Sequence, residues 1–256
     1  MSQASAGLAA VQLLPVRGIG EVAPGADLAG VLHAALAAQK TPVQDGDILV
    51  VTQKIVSKAE GCIVRLAEVE PSPLALEWAT TWNKDARVVE LVLRQSQRIV
   101  RMERGVIISE TRHGLVCANA GVDCSNVGDD RATWLPPDPD ASAERLRRAL
   151  GAASGASIGV IISDTFGRAW REGQINIAVG VAGVEALRHF EGQVDPTGYE
   201  LRVTMLATAD ELASAAELVM GKIDRVPAAL VRGLDRALGN GTARDLVRPA
   251  ANDLFR

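Results

Sequence analysis

The sequence predicts packed helices and sheets within one chain of 256 residues, and three observations carry that expectation. The run Ile158-Gly159-Val160-Ile161-Ile162 is continuous, largely β-branched and bounded by small and polar residues, as a buried strand requires. Val106-Ile107-Ile108 and Leu115-Val116-Cys117 flank Arg112-His113-Gly114, the pattern of a hairpin. Asp27 stands before Leu28, Val31, Leu32, Ala35 and Leu36, an N-cap followed by helical apolar spacing. Apolar residues are plentiful but only 3% of the chain is aromatic, which suits closely packed layers of small and aliphatic side chains.

In chain order, residues 11–16 read as a first strand and the helix behind Asp27 follows. The Gln44-Asp45-Gly46-Asp47 turn leads into a strand over 48–51 that continues towards Ile55 and Val56. Residues 71–82 form a helix with Pro73 in its first turn. The spacing of Val88, Leu91, Val92, Gln95 and Ile99 gives a helix passing into a short extended piece. After the hairpin comes a Gly-, Asp- and Asn-rich segment over 120–130. Residues 136–140, Pro-Pro-Asp-Pro-Asp, form a stiff connector. Residues 143–150 form a helix with Glu144 in its first turn. The 158–162 strand is followed by another over 175–181. Thr208-Ala209-Asp210-Glu211 reads as a capping box, opening a helix with Leu212, Ala215, Ala216 and Val219 on its core face and Gly221 at its end. A last strand covers 226–231.

Composition excludes several function classes. The formal net charge is −4, and basic residues are dispersed, with one Tyr and three Phe for base stacking; nucleic-acid binding is not expected. The N-terminus has no basic n-region, and its apolar stretch is broken by Gln12 and Pro15, so neither a signal peptide nor a membrane span is expected. Cys62, Cys117 and Cys124 are too few for a disulfide framework, which points to a reducing, cytoplasmic setting. Gly18-Ile19-Gly20-Glu21-Val22-Ala23 fits a dinucleotide fingerprint in letters only, because Pro24-Gly25 follows where a helix must open. Gly221-Lys222 lacks the rest of a P-loop. His113, Cys117 and Cys124 match no common zinc spacing.

The chemistry sits elsewhere. Ser163-Asp164-Thr165-Phe166-Gly167-Arg168 follows the buried strand and brings a carboxylate, a hydroxyl and a guanidinium to a strand end, where open sheets place ligands. Gly121-Val122-Asp123-Cys124-Ser125-Asn126 supplies a second carboxylate and an amide. Either segment alone reads equally as a turn; together they offer hard oxygen ligands that suit Mg²⁺ or Mn²⁺ carrying phosphates. Gln53-Lys54 and Ser57-Lys58 follow the 48–51 strand, either as phosphate-binding cations or as solvated surface charges. Arg168 and Arg171 flank the Asp164 segment, either to grip a carboxylate or for surface ion pairing.

The stretches 14–16 (LPV), 53–61 (QKIVSKAEG), 110–126 (ETRHGLVCANAGVDCSN), 163–171 (SDTFGRAWR) and 215–222 (AAELVMGK) resemble, in order, the coenzyme F420-0:L-glutamate ligase family. The resemblance runs from about residue 11 to about residue 234. It implies an α+β fold with mixed and antiparallel sheets and flanking helices, one ligase domain over 1–256 without the fused flavin-binding reductase domain of some members, and an intertwined homodimer. It implies GTP-dependent γ-linkage of L-glutamate to coenzyme F420-0 through an acyl phosphate, with one or two Mg²⁺ or Mn²⁺ ions per site and K⁺ as a further candidate. Asp123 and Asp164 match metal-binding carboxylates, and Thr165 a ligand of a second metal. Leu14, Pro15, Val16, Arg17, Gln53, Lys54, Lys58 and Asn126 match nucleotide-contacting positions, as does the 220–227 stretch with Gly221 and Lys222. Where some members carry Gln as a second-metal ligand, this chain has Lys222. An ammonium has no lone pair, so that site either lacks its ligand or Lys222 meets phosphate directly. Arg168 stands as a catalytic candidate, and His113 either as a general base or as a structural hairpin residue. Two other readings stay open: the same scaffold acting on a different acid and amine, and a GTP-binding protein without ligase activity.

Overall fold

The computed structural model describes residues 10–234 and 237–254; residues 1–9 of the N-terminal stretch lie outside them. In chain order the elements are β1 (Gln12–Pro15), α1 (Leu28–Ala38), β2 (Ile48–Thr52), α2 (Gln53–Ala59), β3 (Ile63–Arg65), α3 (Pro73–Trp82), α4 (Ala86–Gln95), β4 (Ser96–Glu103), β5 (Val106–Thr111), β6 (Val116–Ala118), β7 (Arg131–Thr133), α5 (Pro139–Ser154), β8 (Gly159–Arg168), β9 (Arg171–Ala182), β10 (Arg188–His189), β11 (Met205–Leu206), α6 (Thr208–Met220) and β12 (Ala228–Arg232).

A five-stranded mixed sheet in the order β1-β12-β2-β8-β9 forms the centre. Only β2 and β8 pair in parallel; the other neighbours are antiparallel. The β-branched runs belong here because both faces are covered. Leu49, Val51, Val160 and Ile162 pack with Leu28, Leu32 and Leu36 of α1 and Leu146 and Leu150 of α5. Ile48, Val50 and Ile161, pointing the other way by strand alternation, meet Leu212, Ala213, Ala216 and Met220 of α6. A third apolar cluster joins α3 and α4 to Ile107, Val122 and Ala132, beside the three-stranded sheet β4-β5-β6 and the β3-β7 pair. The mixed α+β architecture expected from the family resemblance is present.

Local expectations hold where the chemistry is local. Asp27 caps α1, accepting from the Gly30 N–H at 3.1 Å. The turn at Asp47 is locked by a buried bidentate pair with Arg232 of β12, at 2.8 Å for both bonds. The 106–117 hairpin is β5-β6.

Four expectations are corrected. Ile55 and Val56 lie in α2, not in an extension of β2; a short helix buried on most sides has the same apolar run as a buried strand. The Thr208 capping box is absent: Ala207 is the N-cap, and Asp210 instead accepts the Ala178 N–H at 2.8 Å, beside the register shift between β8 and β9. Half of the 136–140 connector is helix, because Asp138 caps α5 through the Ala141 N–H at 3.0 Å; the first turn therefore holds Asp140, while Glu144 pairs with Arg147 and Arg148. Finally, the 163–168 run is no loop. β8 continues through it, paired with β9 beyond the last residue of β2, so Asp164 to Arg168 form one strand of a hairpin arm.

Candidate active site

The topology gathers the candidates at one edge of the central sheet. β1 and β2 end there, β12 begins there, and β8 runs on past it from Ser163. The Val16 N–H bonds to Ala228 O and the Thr52 N–H to Pro227 O, both at 2.9 Å, and Thr52 registers with Ser163. Gln53 and Lys54 start α2 at this edge, and Asp164 leaves it on β8.

Asp123 approaches from the 120–130 segment. Gly121 makes that approach possible: its φ is +72°, and a Cβ would lie 2.8 Å from Leu135 Cγ. The Asp123 backbone is pinned by paired bonds to Thr133 at 2.9 Å each. Its carboxylate meets Lys54 Nζ at 2.7 Å and accepts from the Ser125 N–H at 2.6 Å and Ser125 Oγ at 3.1 Å. Burial works to raise its pKa, but the Lys54 and Ser125 contacts win and hold it below the usual carboxylate range.

Asp164 is the opposite case. Burial raises its pKa to about 7, and the neighbouring Asp123 charge adds to the rise. The Thr165 N–H, donating at 2.8 Å, Lys54 and the Gln53 side chain oppose it without prevailing. Gln53 is buried, and Ser57 Oγ donates to its Oε1 at 2.7 Å, which leaves the amide N–H groups for Asp164. Asp164 also pushes the buried Cys117 thiol up, to about 12, after burial itself.

Two adjoining carboxylates thus share one ammonium. No group of three His, Cys, Asp or Glu side chains gathers as a metal cluster among the described residues. The donor set is instead two carboxylates with neutral oxygens around them, which fits a hydrated Mg²⁺ or Mn²⁺ completed by phosphate. The Asp164 carboxyl, short of positive charge, is the observation that supports the fit.

Lys58 is buried, not a solvated surface charge. Its Nζ bonds to Asn126 O at 2.7 Å and to the Glu21 carboxylate at 2.5 Å, tying the Asn126 loop to the segment between β1 and α1. Leu14 and Pro15 belong to β1. Val16 is fully buried, so it could meet a ligand only through its backbone. Gln39, the α1 C-cap, bridges the Arg17 N–H at 3.0 Å and Pro15 O at 3.2 Å. On the arm, Thr165 Oγ1 donates to Asn176 Oδ1 at 2.8 Å, and Lys222 Nζ donates to Thr165 Oγ1. Gly221, with φ of +63°, ends α6 just before Lys222.

The other two candidates are placed elsewhere. The His113 ring bonds through Nε2 to the carbonyls of Pro136 at 2.9 Å and Pro137 at 3.2 Å, and burial lowers its pKa. Arg168 donates to Glu172 O at 2.6 Å within its own hairpin turn. Neither shows a hydrogen bond to Asp123, Asp164, Thr165 or Lys222. Sequence reasoning missed Glu21 and Asn176. Asn176 had a visible mark, one amide set between Ile175 and Ile177 in the otherwise apolar 175–181 stretch; Glu21 had none.

Comparisons with known proteins give the family. A model of the family described as F420-0:Gamma-glutamyl ligase matches residues 18–233. The chain is 47% identical over 249 residues to the coenzyme F420:L-glutamate ligase of Methanothermobacter thermautotrophicus, spanning 96% of this chain and 99% of that protein. It is 45% identical over 255 residues to the protein of the same description from Methanopyrus kandleri, spanning 98% and 99%. Against that of Methanocaldococcus jannaschii, identity is 44% over 216 residues, 84% of this chain and 86% of the relative. Motif, fold and relatives converge: the chain belongs to the F420-0:gamma-glutamyl ligase family.

Proposed function

We propose that this protein is a ligase of coenzyme F420 biosynthesis that joins L-glutamate, by γ-linkage, to coenzyme F420-0 at the expense of GTP. The observation that carries the reading is the Asp123–Asp164 pair at the strand edge, flanked by Lys54 and Lys58. The terminal carboxylate of the acceptor attacks the γ-phosphorus of GTP, GDP leaves, and an acyl phosphate results. The glutamate amine attacks the acyl carbon, and phosphate leaves.

The obstacle is bringing an anion to an anion. Two unit charges about 4 Å apart repel by about 4 kcal/mol at an effective dielectric of about 20. Asp123 and Asp164 would hold a Mg²⁺ or Mn²⁺, which when bound neutralises phosphate charge as it shifts to the leaving group. Lys54 keeps Asp123 ionised, Gln53 orients Asp164, and Lys58 fixes the Asn126 loop beside the nucleotide. An acyl phosphate hydrolyses readily, so the reaction requires water to be kept from this edge when substrates are bound.

The reading includes a homodimer and a cytoplasmic setting. The excursion carrying β10 and β11 exposes Val194, Tyr199, Val203 and Met205, apolar side chains that a subunit interface would cover, and sedimentation velocity tests it. The three cysteines are all free thiols, as a reducing compartment keeps them. No helix among the described residues is long and apolar enough to cross a membrane.

The deciding experiment is mass spectrometry of products after incubation with F420-0, L-glutamate and either GTP or ATP. Mass steps of one glutamyl unit with GTP support the reading and count the residues added. Phosphate release without such steps would make the protein a nucleotide hydrolase; steps with another amine would reassign the substrate.

A further inference from the structure

Thr165 was expected to serve a second metal ion, and the geometry there disagrees. Gly221, with φ of +63° and ψ of −175°, ends α6, and Lys222 reaches Thr165 and Asn176 of the β8–β9 arm. Its Nζ donates to Thr165 Oγ1 and stands 3.5 Å from Asn176 Oδ1. The two acceptors are themselves coupled, Thr165 Oγ1 donating to Asn176 Oδ1 at 2.8 Å. Asn176 is buried opposite Thr165 in the β8–β9 register, and Ser214 Oγ of α6 holds its backbone carbonyl at 2.7 Å. The Thr165 N–H donates to Asp164 Oδ1 at 2.8 Å, so this cage adjoins the carboxylate pair directly.

A hydroxyl and an amide oxygen beside a carboxylate form a hard-oxygen cage of the kind that takes Mg²⁺ or Mn²⁺. Here an ammonium occupies it. An ammonium donates three hydrogen bonds and offers no lone pair, so Lys222 cannot be a metal ligand. Its Nζ already stands on the Thr165 hydroxyl and beside the Asn176 amide oxygen, the two neutral oxygens that an ion there would need.

We propose that Lys222 is a built-in cation: its ammonium fills the Thr165–Asn176 cage, so that each chain takes a single divalent ion, at Asp123 and Asp164. The inference rests on the reading of that carboxylate pair as a divalent-metal site. Being tethered, the Lys222 charge is present without recruitment from solution, on Thr165, the residue that follows Asp164.

The test counts ions and needs no turnover. Free Mn²⁺ is followed by electron paramagnetic resonance as it is titrated into the full chain with a non-hydrolysable GTP analogue, and calorimetry under the same conditions gives an independent count. Wild type is expected to bind one Mn²⁺ per chain. Lys222→Gln, which replaces the ammonium by an amide oxygen donor, is expected to bind two, and Lys222→Met one. Lys222 is exposed, so these variants keep the fold, as thermal unfolding without metal verifies. Two Mn²⁺ in wild type, or one in Lys222→Gln, overturns the inference while leaving the carboxylate site standing. If wild type binds none, the metal reading of Asp123 and Asp164 falls, and the inference with it.

Discussion

Asp123 and Asp164 are the same side chain in two differently built regions. Asp123 sits on a short irregular segment whose exposed Ser125 and neighbouring Lys54 converge on its two oxygens, and it is ionised before anything binds. Asp164 sits on a strand beside Gln53 and Cys117, with its pKa raised to about 7 by burial and the Asp123 charge. One region is prepared for charge and the other withholds it. The difference lies in what offsets burial: Lys54 and Ser125 outweigh it at Asp123, while at Asp164 burial prevails and the Asp123 charge adds to it. Asp164 is held in register by β9, whereas the Asp123 segment brings its own donor, Ser125, to the carboxylate.

The comparison breaks most directly at the carboxylates. Asp123→Asn and Asp164→Asn should each reduce glutamylation by at least about 10²-fold, as removal of a main charge-stabilising group does; near-wild-type activity in either variant sinks the metal assignment. Their stabilities should diverge in opposite directions. Without metal at pH 8, Asp164→Asn should be more stable than wild type by a few kcal/mol, about the free energy of a raised carboxylate pKa, while Asp123→Asn should be less stable because Lys54 loses its partner. Urea unfolding of both variants measures this, and shifts of the same sign would erase the contrast.

The pH dependence follows with its sign. A raised folded-state pKa means that Asp164 contributes stability that is full below pH of about 4 and lost as pH rises to about 7. Asp123, with a lowered pKa, contributes stability present above pH of about 4 and lost as pH falls through its folded value. Metal-free wild type should therefore lose stability between pH 5 and pH 8, and Asp164→Asn should flatten that slope. Mn²⁺ with GTP should stabilise by about 2.7 kcal/mol at 100 times the dissociation constant, more at pH 8 than at pH 6. An equal Mn²⁺ effect in Asp164→Asn would place the ion elsewhere.

Smaller effects sharpen the edges of the site. Lys58→Ala removes the bridge from the Glu21 carboxylate to Asn126 O, two groups that water can reach, and should cost about 1 kcal/mol of stability, with KM rising for GTP more than for glutamate. A change confined to glutamate would move Lys58 to the acceptor side. His113→Gln should cost no more, about 1 kcal/mol, through the bonds to Pro136 and Pro137. A loss of kcat whose pH profile tracks an imidazole would instead make His113 the general base.

Much of the site could be read in the chain because phosphate and metal chemistry demand particular residue types. Asp123 and Asp164 stand out as carboxylates beside apolar strands, and Gln53, Lys54 and Lys58 as polar groups following one. What could not be read was which of these residues meet. The Lys58 bonds to Glu21 and Asn126 join three segments distant in the chain, and local spacing encodes nothing about such closure. Asp210 shows the same limit from the other side. Its letters fit a capping box, but the unpaired Ala178 N–H beside the strand irregularity was a stronger claim on that carboxylate than the helix end.

By itself, the sequence determined the class of fold, the family, most helix starts and the inventory of metal- and phosphate-directed groups, because propensity, capping and donor chemistry are properties of near neighbours. Only the tertiary structure decided that β8 runs on through Asp164, that Asp123 is charged while Asp164 resists charge, and that Lys222 lies on Thr165 and Asn176. Burial and pairwise electrostatics depend on which distant segments share a few ångströms of space, and that is settled only when the sheet edges and loops have closed around the site.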